Sequence, residues 1–203
     1  CHTLSKVAHA PSPIHQKMLK RLMAYVLTTA EAGVFYLRMP PHDARIDRLV
    51  AHSDSSHWDC PLTRRSTSGY TLHMNGGMVN WRSKTQPLIT LSSCESELVA
   101  CTDAVRDVLW ARHMLSEQNA TQHGATVVAQ DNQSTIQIIR NPFTSISERS
   151  KHIHARYLWV HQALEIGEIQ IVKFHTDDVI ADALTKALGT EKFFYFRNLM
   201  LAF

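Results

Sequence analysis

The chain has 203 residues, of which 44% are hydrophobic and 19% are charged, so it has enough apolar surface to fold around a core and is not a disordered chain. Its formal net charge of +3 permits a nucleic-acid partner without requiring one. The sequence has no apolar run of about 18 residues, no signal peptide and no metal-type spacing among its four cysteines, which predicts reduced thiols, an intracellular setting and no membrane span.

The first predicted element is an amphipathic helix over residues 12–31. Ser12 followed by Pro13 is a helix-start signal. Apolar side chains recur on one stripe at helical spacing, namely Ile14, Met18, Leu22 and Val26. The following "GVFYLRM" indicates a short strand, and the proline-containing "PPHDARI" indicates a boundary near residue 46.

The residues after this boundary predict a mixed sheet. We expect strands at 47–54, 68–74, 78–83 and 87–91, with "GG" at 76–77 as a hairpin turn. Further along, the pattern predicts a helix at 93–118, a strand at 125–130, helices at 132–140 and 151–165, a strand in "GEIQIVKF", and helices in "TDDVIADALTKAL" and "EKFFYFRNLM". Antiparallel strands followed by alternating helices and strands indicate an α/β fold with a mixed sheet flanked by helices.

Four carboxylates stand out at or near the ends of these elements. Asp54 ends the first predicted strand and Asp131 follows a β-branched strand, so adjacent strands would place the two side by side. The long helix begins with a serine followed three residues later by Glu95, a capping box that gives Glu95 a structural role and leaves Glu97 free. Asp182 lies inside an otherwise small and apolar helix.

Each of these acids has an ordinary structural explanation when it is taken alone, such as a turn or a helix start. Four converging carboxylates would nevertheless repel one another in the absence of cations. Mg²⁺ prefers such hard oxygen ligands, and two ions about 4 Å apart can clamp the attacking and leaving oxygens of a phosphodiester displacement. The pattern therefore favours a metal-dependent site.

Several long stretches resemble a known family. "RRSTSGYTLHMNGGMVNWRSKTQPLITLSSCESELVA", "QDNQSTI", "SKHIHARY" and "IADALTKAL" resemble the ribonuclease H domain of copia-type LTR-retrotransposon Pol polyproteins. The leading "LSKVAHAPSPIHQKMLKRLMAYVLTTAEAGVFYL" resembles the end of the preceding reverse transcriptase. The resemblance implies the end of the reverse transcriptase or its connection over residues 1–45, a ribonuclease H domain with a mixed five-stranded sheet over 46–190, and a C-terminal helix over 191–203.

The resemblance also implies an activity and a setting. The expected reaction is hydrolysis of the RNA strand of RNA·DNA hybrids during reverse transcription, with two Mg²⁺ ions or with Mn²⁺ in their place. The expected partners are the hybrid and the upstream reverse transcriptase domain of the same polyprotein, with no membrane. The expected location is the cytoplasm, within virus-like particles, and the nucleus at integration.

The family's acidic tetrad falls on Asp54, Glu97, Asp131 and Asp182, where Glu97 directly precedes "LVA" as in the family. By analogy, Asp54 would bridge both ions, Glu97 and Asp131 would hold the ion near the leaving 3′ oxygen, and Asp182 would hold the ion near the attacking water. The products would carry 5′-phosphate and 3′-hydroxyl ends. His175 replaces the family's usual proline and is the candidate proton shuttle, with a surface histidine as the alternative.

Basic and polar residues supply candidate substrate contacts. The candidates for phosphate contacts are Arg64, Arg65, Arg82, Lys84, Lys151 with its neighbour His152, Arg156 and Lys186; for any one of them a solvated surface charge is the alternative. Asn132 and Gln133 are expected to donate to sugar hydroxyls, which distinguish RNA from DNA. The aromatic residues Trp81, Trp110, Trp159 and Tyr157 are expected to pack in the core rather than to stack on bases.

Three functions stay open on the sequence. The first is a two-metal endonuclease that acts on RNA·DNA hybrids. The second is a catalytically silent module of the same fold that extends the polymerase and binds nucleic acid, and it would be favoured if one of the four acids lay outside the cluster. The third is another member of the fold superfamily, such as an integrase or an exonuclease, against which the matched motifs argue.

Overall fold

The computed structural model describes residues 2–38, 40, 47–61, 63–141 and 151–201, and it leaves out the side chains of residues 2, 3 and 151–154. Contacts divide the chain into two units, Cys1–Val34 and Phe35–Phe203. The first unit contains helices α1 (His2–Lys6) and α2 (Pro13–Thr28). The start signal of α2 is confirmed, since Pro13 is its first residue and the Ser12 N–H donates to His15 Nδ1 at 3.1 Å. None of its residues is buried.

The second unit is a five-stranded mixed sheet with helices, as the sequence predicts. Its elements are β1 (Leu49–Ser56), β2 (Thr67–Met74), β3 (Gly77–Thr85), α3 (Ser93–Glu117), β4 (Thr126–Gln130), α4 (Gln133–Arg140), α5 (Lys151–Glu165), β5 (Ile169–Lys173), α6 (Asp182–Thr185) and α7 (Thr190–Leu201). The strand order is β3-β2-β1-β4-β5. β1 pairs with β2 and β2 with β3 in antiparallel fashion, whereas β1–β4 and β4–β5 are parallel pairs.

The core lies between the sheet and helices α3, α4 and α5. Leu72 of β2, Val128 of β4 and Ile171 of β5 are at most 2% exposed and belong to one cluster with Leu98 and Val105 of α3. Among the described residues, Cys94 and Cys101 are free thiols. No helix in the described parts of the chain combines the length and the apolar character needed to cross a bilayer.

Three predicted elements are wrong. Residues 33–38 are not a strand, although the Leu37 N–H donates to the Asn75 carbonyl at 2.8 Å. Residues 87–91 are also irregular, because Pro87 has no N–H to donate to a ladder and the Ile89 and Leu91 side chains are exposed. The segment "TDDVIADALTKAL" forms a 3₁₀ turn and the four-residue α6 instead of one helix, because Val179, which follows the 3₁₀ turn, has an extended backbone.

The prediction that three tryptophans pack in the core is wrong for all three. Trp81 is 56% exposed, Trp110 is 60% exposed and Trp159 is 37% exposed. Trp81 lies on the edge strand β3, while Trp110 and Trp159 lie on the solvent sides of α3 and α5. Tyr157 packs against the core as expected.

Candidate metal centre

Three of the predicted acids converge at one edge of the sheet. β1 and β4 are adjacent and parallel, with His52 opposite Ala129, so Asp54 and Asp131 follow at the same end of the two strands. Glu97 reaches them from the first turns of α3, which packs on β1. One carboxylate oxygen from each of Asp54, Glu97 and Asp131 lies within 4.8 Å of the other two. We call this group the three-acid cluster.

The position of Asp54 differs from the prediction in one respect. Asp54 does not end β1, because the strand continues to Ser56 through pairs with β2. Residues before and after Asp54 are therefore paired with β2, which holds its backbone in place, and Asp54 is fully buried. Asp131 directly follows β4 and is only half-buried, so it is the member of the cluster that faces solvent.

The electrostatics of the cluster favour a bound cation. Burial raises the pKa of Asp54 to about 6 in spite of its contacts with Lys186 and Thr185. Burial, and then the charges of Asp54 and Asp131, raise the pKa of Glu97 well above its usual value. Glu97 Oε1 accepts the Ser55 N–H at 3.2 Å, but among the described residues its buried Oε2 has no hydrogen-bond partner. An oxygen-only donor set with an unpaired buried oxygen fits Mg²⁺ or Mn²⁺.

The capping arrangement at the start of α3 explains why Glu97, and not Glu95, joins the cluster. The Glu95 N–H donates to Ser92 Oγ at 3.1 Å, as the capping box predicts. The Glu95 carboxylate accepts the Leu91 N–H at 2.6 Å rather than the Ser92 N–H, so the box closes one residue earlier than expected. Glu95 is thereby occupied at the helix end, and Glu97 faces Asp54.

Asp182 lies outside the three-acid cluster and is linked to it by a lysine. It is the first residue of α6 rather than an interior helical residue, and it is 1% exposed. Lys186 Nζ lies 2.6 Å from Asp182 Oδ1 and 3.1 Å from Asp54 Oδ1. Lys192 Nζ lies 3.2 Å from the other oxygen, Asp182 Oδ2. The fourth acid is thus adjacent to Asp54 but separated from it by an ammonium group.

A glycine of β2 allows α6 to approach the cluster. Gly69 pairs with Asp54 across the β1–β2 ladder. A Cβ at this position would lie 2.6 Å from Thr185 Cγ2 and 3.2 Å from the Ala181 carbonyl oxygen. Because no side chain stands there, the Thr185 hydroxyl can donate to Asp54 Oδ2. The glycine in "TSGYT" therefore has a packing role at the site.

The other predicted site residues lie in varied surroundings. Arg64, Arg65 and Gln133 are exposed, and Asn132 caps α4 by accepting the Thr135 N–H on Oδ1 at 3.0 Å. The side chains of Lys151 and His152 lie outside the described residues. His175 is 76% exposed, and its Nδ1 accepts the Asp177 N–H at 3.3 Å. The next residue, Thr176, donates its hydroxyl to Asp131 Oδ2 at 2.9 Å, which places His175 beside the cluster.

A cavity of about 200 Å³ collects four cationic side chains. Arg82 and Lys84 of β3, Arg106 of α3 and Arg156 of α5 line it, together with the single acid Asp103. Asp103 is paired with Arg106 at 3.1 Å. We call this feature the basic cavity; three of its cations are among the predicted phosphate contacts, whereas Arg106 was not predicted.

Two lysines have carboxylate contacts that the sequence analysis does not include. Lys186, a predicted phosphate contact, has its ammonium held by two buried carboxylates in this structure. Its distance of four residues from Asp182 is an ion-pair spacing that signals this contact. Lys192 had no such signal, because it comes from α7 and reaches Asp182 only through the tertiary fold.

Comparisons with known proteins identify relatives along nearly the whole chain, although no protein-family profile matches it. The chain is 32% identical over 190 residues to the retrovirus-related Pol polyprotein from transposon TNT 1-94 of Nicotiana tabacum, covering 94% of this chain and 14% of that protein. It is 28% identical over 190 residues to the Pol polyprotein from transposon RE2 of Arabidopsis thaliana, covering 94% of this chain and 13% of that one. The chain thus spans a small part of these polyproteins.

A shorter relative and two solved structures complete the comparison. A Plasmopara viticola protein named secreted RxLR effector protein 161 is 39% identical over 107 residues, which is 53% of this chain and 72% of that protein. LC11-RNase H1 from compost superposes with a TM-score of 0.51 at 12% identity, over 69% of this chain and 94% of that one. The foamy viral protease-reverse transcriptase, solved with an RNA/DNA hybrid, gives a TM-score of 0.50 at 15% identity, over 75% of this chain and 21% of that one. The chain is thus homologous to a segment of the retrovirus-related Pol polyproteins of copia-type plant transposons, and it carries a ribonuclease H fold.

Proposed function

We propose that this chain is the ribonuclease H segment of its polyprotein and hydrolyses the RNA strand of RNA·DNA hybrids with divalent cations. The observation that carries the proposal is the three-acid cluster, in which three carboxylates converge. Burial raises the pKa of Asp54 and Glu97, so their negative charges are unfavourable there without a cation. The proposed cation ligands are Asp54, Glu97 and Asp131, with Asp182 completing a two-ion site for Mg²⁺ or Mn²⁺. Divalent cations held there would supply a nucleophile at neutral pH and charge stabilisation at the phosphate.

The protein's own residues have distinct tasks in this proposal. Asp54 is fixed by its strand and by the Thr185 hydroxyl, so its carboxylate is preorganised. Asp131 opens the cluster to solvent and marks the side from which the phosphodiester approaches. His175 is proposed to exchange a proton with solvent, because it is exposed and adjoins Thr176, which contacts Asp131.

Substrate recognition is proposed to depend on contacts with the hybrid backbone. The basic cavity and the exposed Arg64 and Arg65 would bind phosphates. Gln133 and the side-chain amide of Asn132, next to Asp131, would donate to 2′-hydroxyls of the RNA strand. The proposed partners are the hybrid and the upstream reverse transcriptase domain, within cytoplasmic virus-like particles and at integration in the nucleus.

Cleavage of a labelled RNA·DNA hybrid tests the proposal. With Mg²⁺ or Mn²⁺ we expect cuts in the RNA strand that leave 5′-phosphate and 3′-hydroxyl ends, and we expect an excess of EDTA to abolish them. Single-stranded RNA and duplex DNA of the same sequence serve as controls and should stay intact. Equal cleavage of single-stranded RNA, or cleavage that persists in EDTA, would contradict the proposal.

The basic cavity should contribute to affinity for the hybrid. We expect Arg156→Gln to weaken hybrid binding by about three- to tenfold and to reduce the slope of log K against log salt by about one, because one phosphate contact is lost. Fluorescence anisotropy over a salt series measures both quantities. Arg48→Gln makes the same charge change at an exposed residue next to the opposite end of β1 from the cluster, and it should alter neither. An equal loss in both variants would assign the effect to net charge and not to the cavity.

A second candidate function is the catalytically silent module of the same fold. One observation favours it, namely the ammonium of Lys186 between Asp54 and Asp182, which keeps the fourth acid out of the three-acid cluster. A silent module would bind the hybrid and leave both strands intact at every cation concentration.

A further inference from the structure

We propose that the Lys186 ammonium occupies the second cation position of this site and must leave it before a second divalent cation binds between Asp54 and Asp182. The inference rests on the proposed function, which assigns cations to these carboxylates. It adds a residue that decides how many cations the site holds.

The contacts of Lys186 place its charge between the two acids. Its Nζ lies 2.6 Å from Asp182 Oδ1 and 3.1 Å from Asp54 Oδ1. Mg²⁺ binds carboxylate oxygens at about 2.0 to 2.1 Å. The same two oxygens therefore cannot hold the ammonium and bind a divalent ion at the same position. Asp54 Oδ1 already accepts a hydrogen bond from Lys186 Nζ. By contrast, Glu97 Oε2 of the three-acid cluster has no hydrogen-bond partner among the described residues.

The balance of charge leads to the same conclusion. When ionised, the three-acid cluster and Asp182 together carry four negative charges, and the ammonium groups of Lys186 and Lys192 contribute two positive charges. One divalent cation neutralises the remainder. A second one would leave this buried group with an excess of two positive charges, which the departure of one ammonium reduces to one, and buried unbalanced charge is strongly unfavourable. Lys192 also pairs with the exposed Asp177 and does not contact Asp54. Lys186 is therefore the ammonium that blocks a second cation between Asp54 and Asp182.

Lys186 also has a route out of the site. Its side chain is 37% exposed, whereas those of Asp54 and Asp182 are 1% and 2% exposed. Its backbone lies past the end of α6 in an extended conformation, so the side chain can turn outward without unwinding a helix. A phosphate of a bound nucleic acid offers the displaced ammonium a new partner. Substrate binding and entry of the second cation would then favour each other.

Counting bound Mn²⁺ tests this inference without any cleavage assay. Electron paramagnetic resonance of the full chain, without nucleic acid, should show one bound Mn²⁺ in the wild type, with a second binding only weakly. In Lys186→Met, which keeps an unbranched side chain but removes the charge, the second Mn²⁺ should bind at least about tenfold more tightly, because the competing charge is gone. Lys192→Met is the matched control: it removes a charge from Asp182 without freeing Asp54, and it should retain one tight site.

The outcomes separate this inference from the proposed function. Two tight sites in the wild type, or no gain in Lys186→Met, would overturn the role of Lys186 while leaving the nuclease proposal standing. An equal gain in Lys192→Met would show a general effect of charge and would also overturn it. Absence of Mn²⁺ binding in every protein would refute both. If Lys186→Met fails to fold, Lys186→Gln, which keeps a donor for Asp182, takes its place with the same expectations.

Discussion

Replacing Asp131 with asparagine is expected to lower the rate of hybrid cleavage by at least about 10³-fold while the protein stays folded. Asp131 is only half-buried, and its described side-chain hydrogen bond is the one it accepts from the Thr176 hydroxyl at 2.9 Å. An asparagine oxygen can accept the same bond, so the substitution removes a cation ligand and little else. Single-turnover cleavage with Mg²⁺ and with Mn²⁺ measures the loss, and circular dichroism with thermal unfolding reports the fold.

The chain offers a closely matched control for this experiment. Asp59 is an exposed carboxylate that accepts the Thr67 hydroxyl at 2.8 Å, just as Asp131 accepts a threonine hydroxyl, but it lies outside the three-acid cluster. Asp59→Asn should keep cleavage within about threefold of the wild-type rate, since surface substitutions have small effects. Full activity in Asp131→Asn, or an equal loss in Asp59→Asn, would remove Asp131 from the catalytic machinery.

The same assay separates the nuclease from the silent module. If the wild type folds and binds the hybrid but does not cleave it with either cation, the module explains the protein better. The position of Lys186 supplies a physical reason for such an outcome, because an ammonium that never leaves would restrict the site to one cation. Cleavage that appears in Lys186→Met and not in the wild type would identify the lysine as the block.

The sequence predicts the sheet and the three-acid cluster for a clear physical reason. Strands and their carboxyl ends are local features, since alternation, β-branched residues and turn glycines mark them along the chain. Once β1 and β4 lie parallel and adjacent, Asp54 and Asp131 must meet at one edge. Glu97 follows from helix capping, because Glu95 is used at the helix start.

The sequence fails where tertiary contacts decide the outcome. Residues 179–181 are apolar and helix-compatible, yet the extended backbone of Val179 interrupts the predicted helix, and Asp182 is the first residue of α6. Lys192 lies ten residues beyond Asp182, and only the packing of α7 brings them together. The exposed Trp81 and Trp110 show the same limit, because hydrophobicity alone does not say which face of an edge strand or a long helix meets solvent.

Replacing Glu97 with glutamine is expected to change stability and activity in opposite directions. Without divalent cations at pH 8, the free energy of unfolding should rise by about 1 to 3 kcal/mol, because a buried negative charge next to Asp54 and Asp131 disappears. For a chain of this size the gain corresponds to roughly 3 to 10 °C in Tm. Hybrid cleavage should fall by about 10²-fold or more, since the same oxygens are proposed to hold a cation.

The gain in stability should depend on pH in a defined direction. Because burial and the neighbouring acids raise the pKa of Glu97 in the folded state, the folded protein binds this proton more tightly than the unfolded chain. The resulting stabilisation is fully present below the usual glutamate pKa and is lost as pH rises through the folded value. Glutamine has no such loss, so the difference between variant and wild type should be small near pH 4 and should grow toward pH 8.

Glu95→Gln makes the matched comparison, because Glu95 and Glu97 are both 6% exposed and lie in the same turn of α3. Glu95 accepts the Leu91 N–H at 2.6 Å, so its replacement should weaken a cap and bring no gain in stability. Adding Mg²⁺ should stabilise the wild type and Glu95→Gln more than Glu97→Gln, since only a bound cation offsets the charge of Glu97. If Glu97→Gln is less stable than the wild type in EDTA at pH 8, the three-acid cluster is held by protein contacts alone, and the argument that its charges require a cation fails.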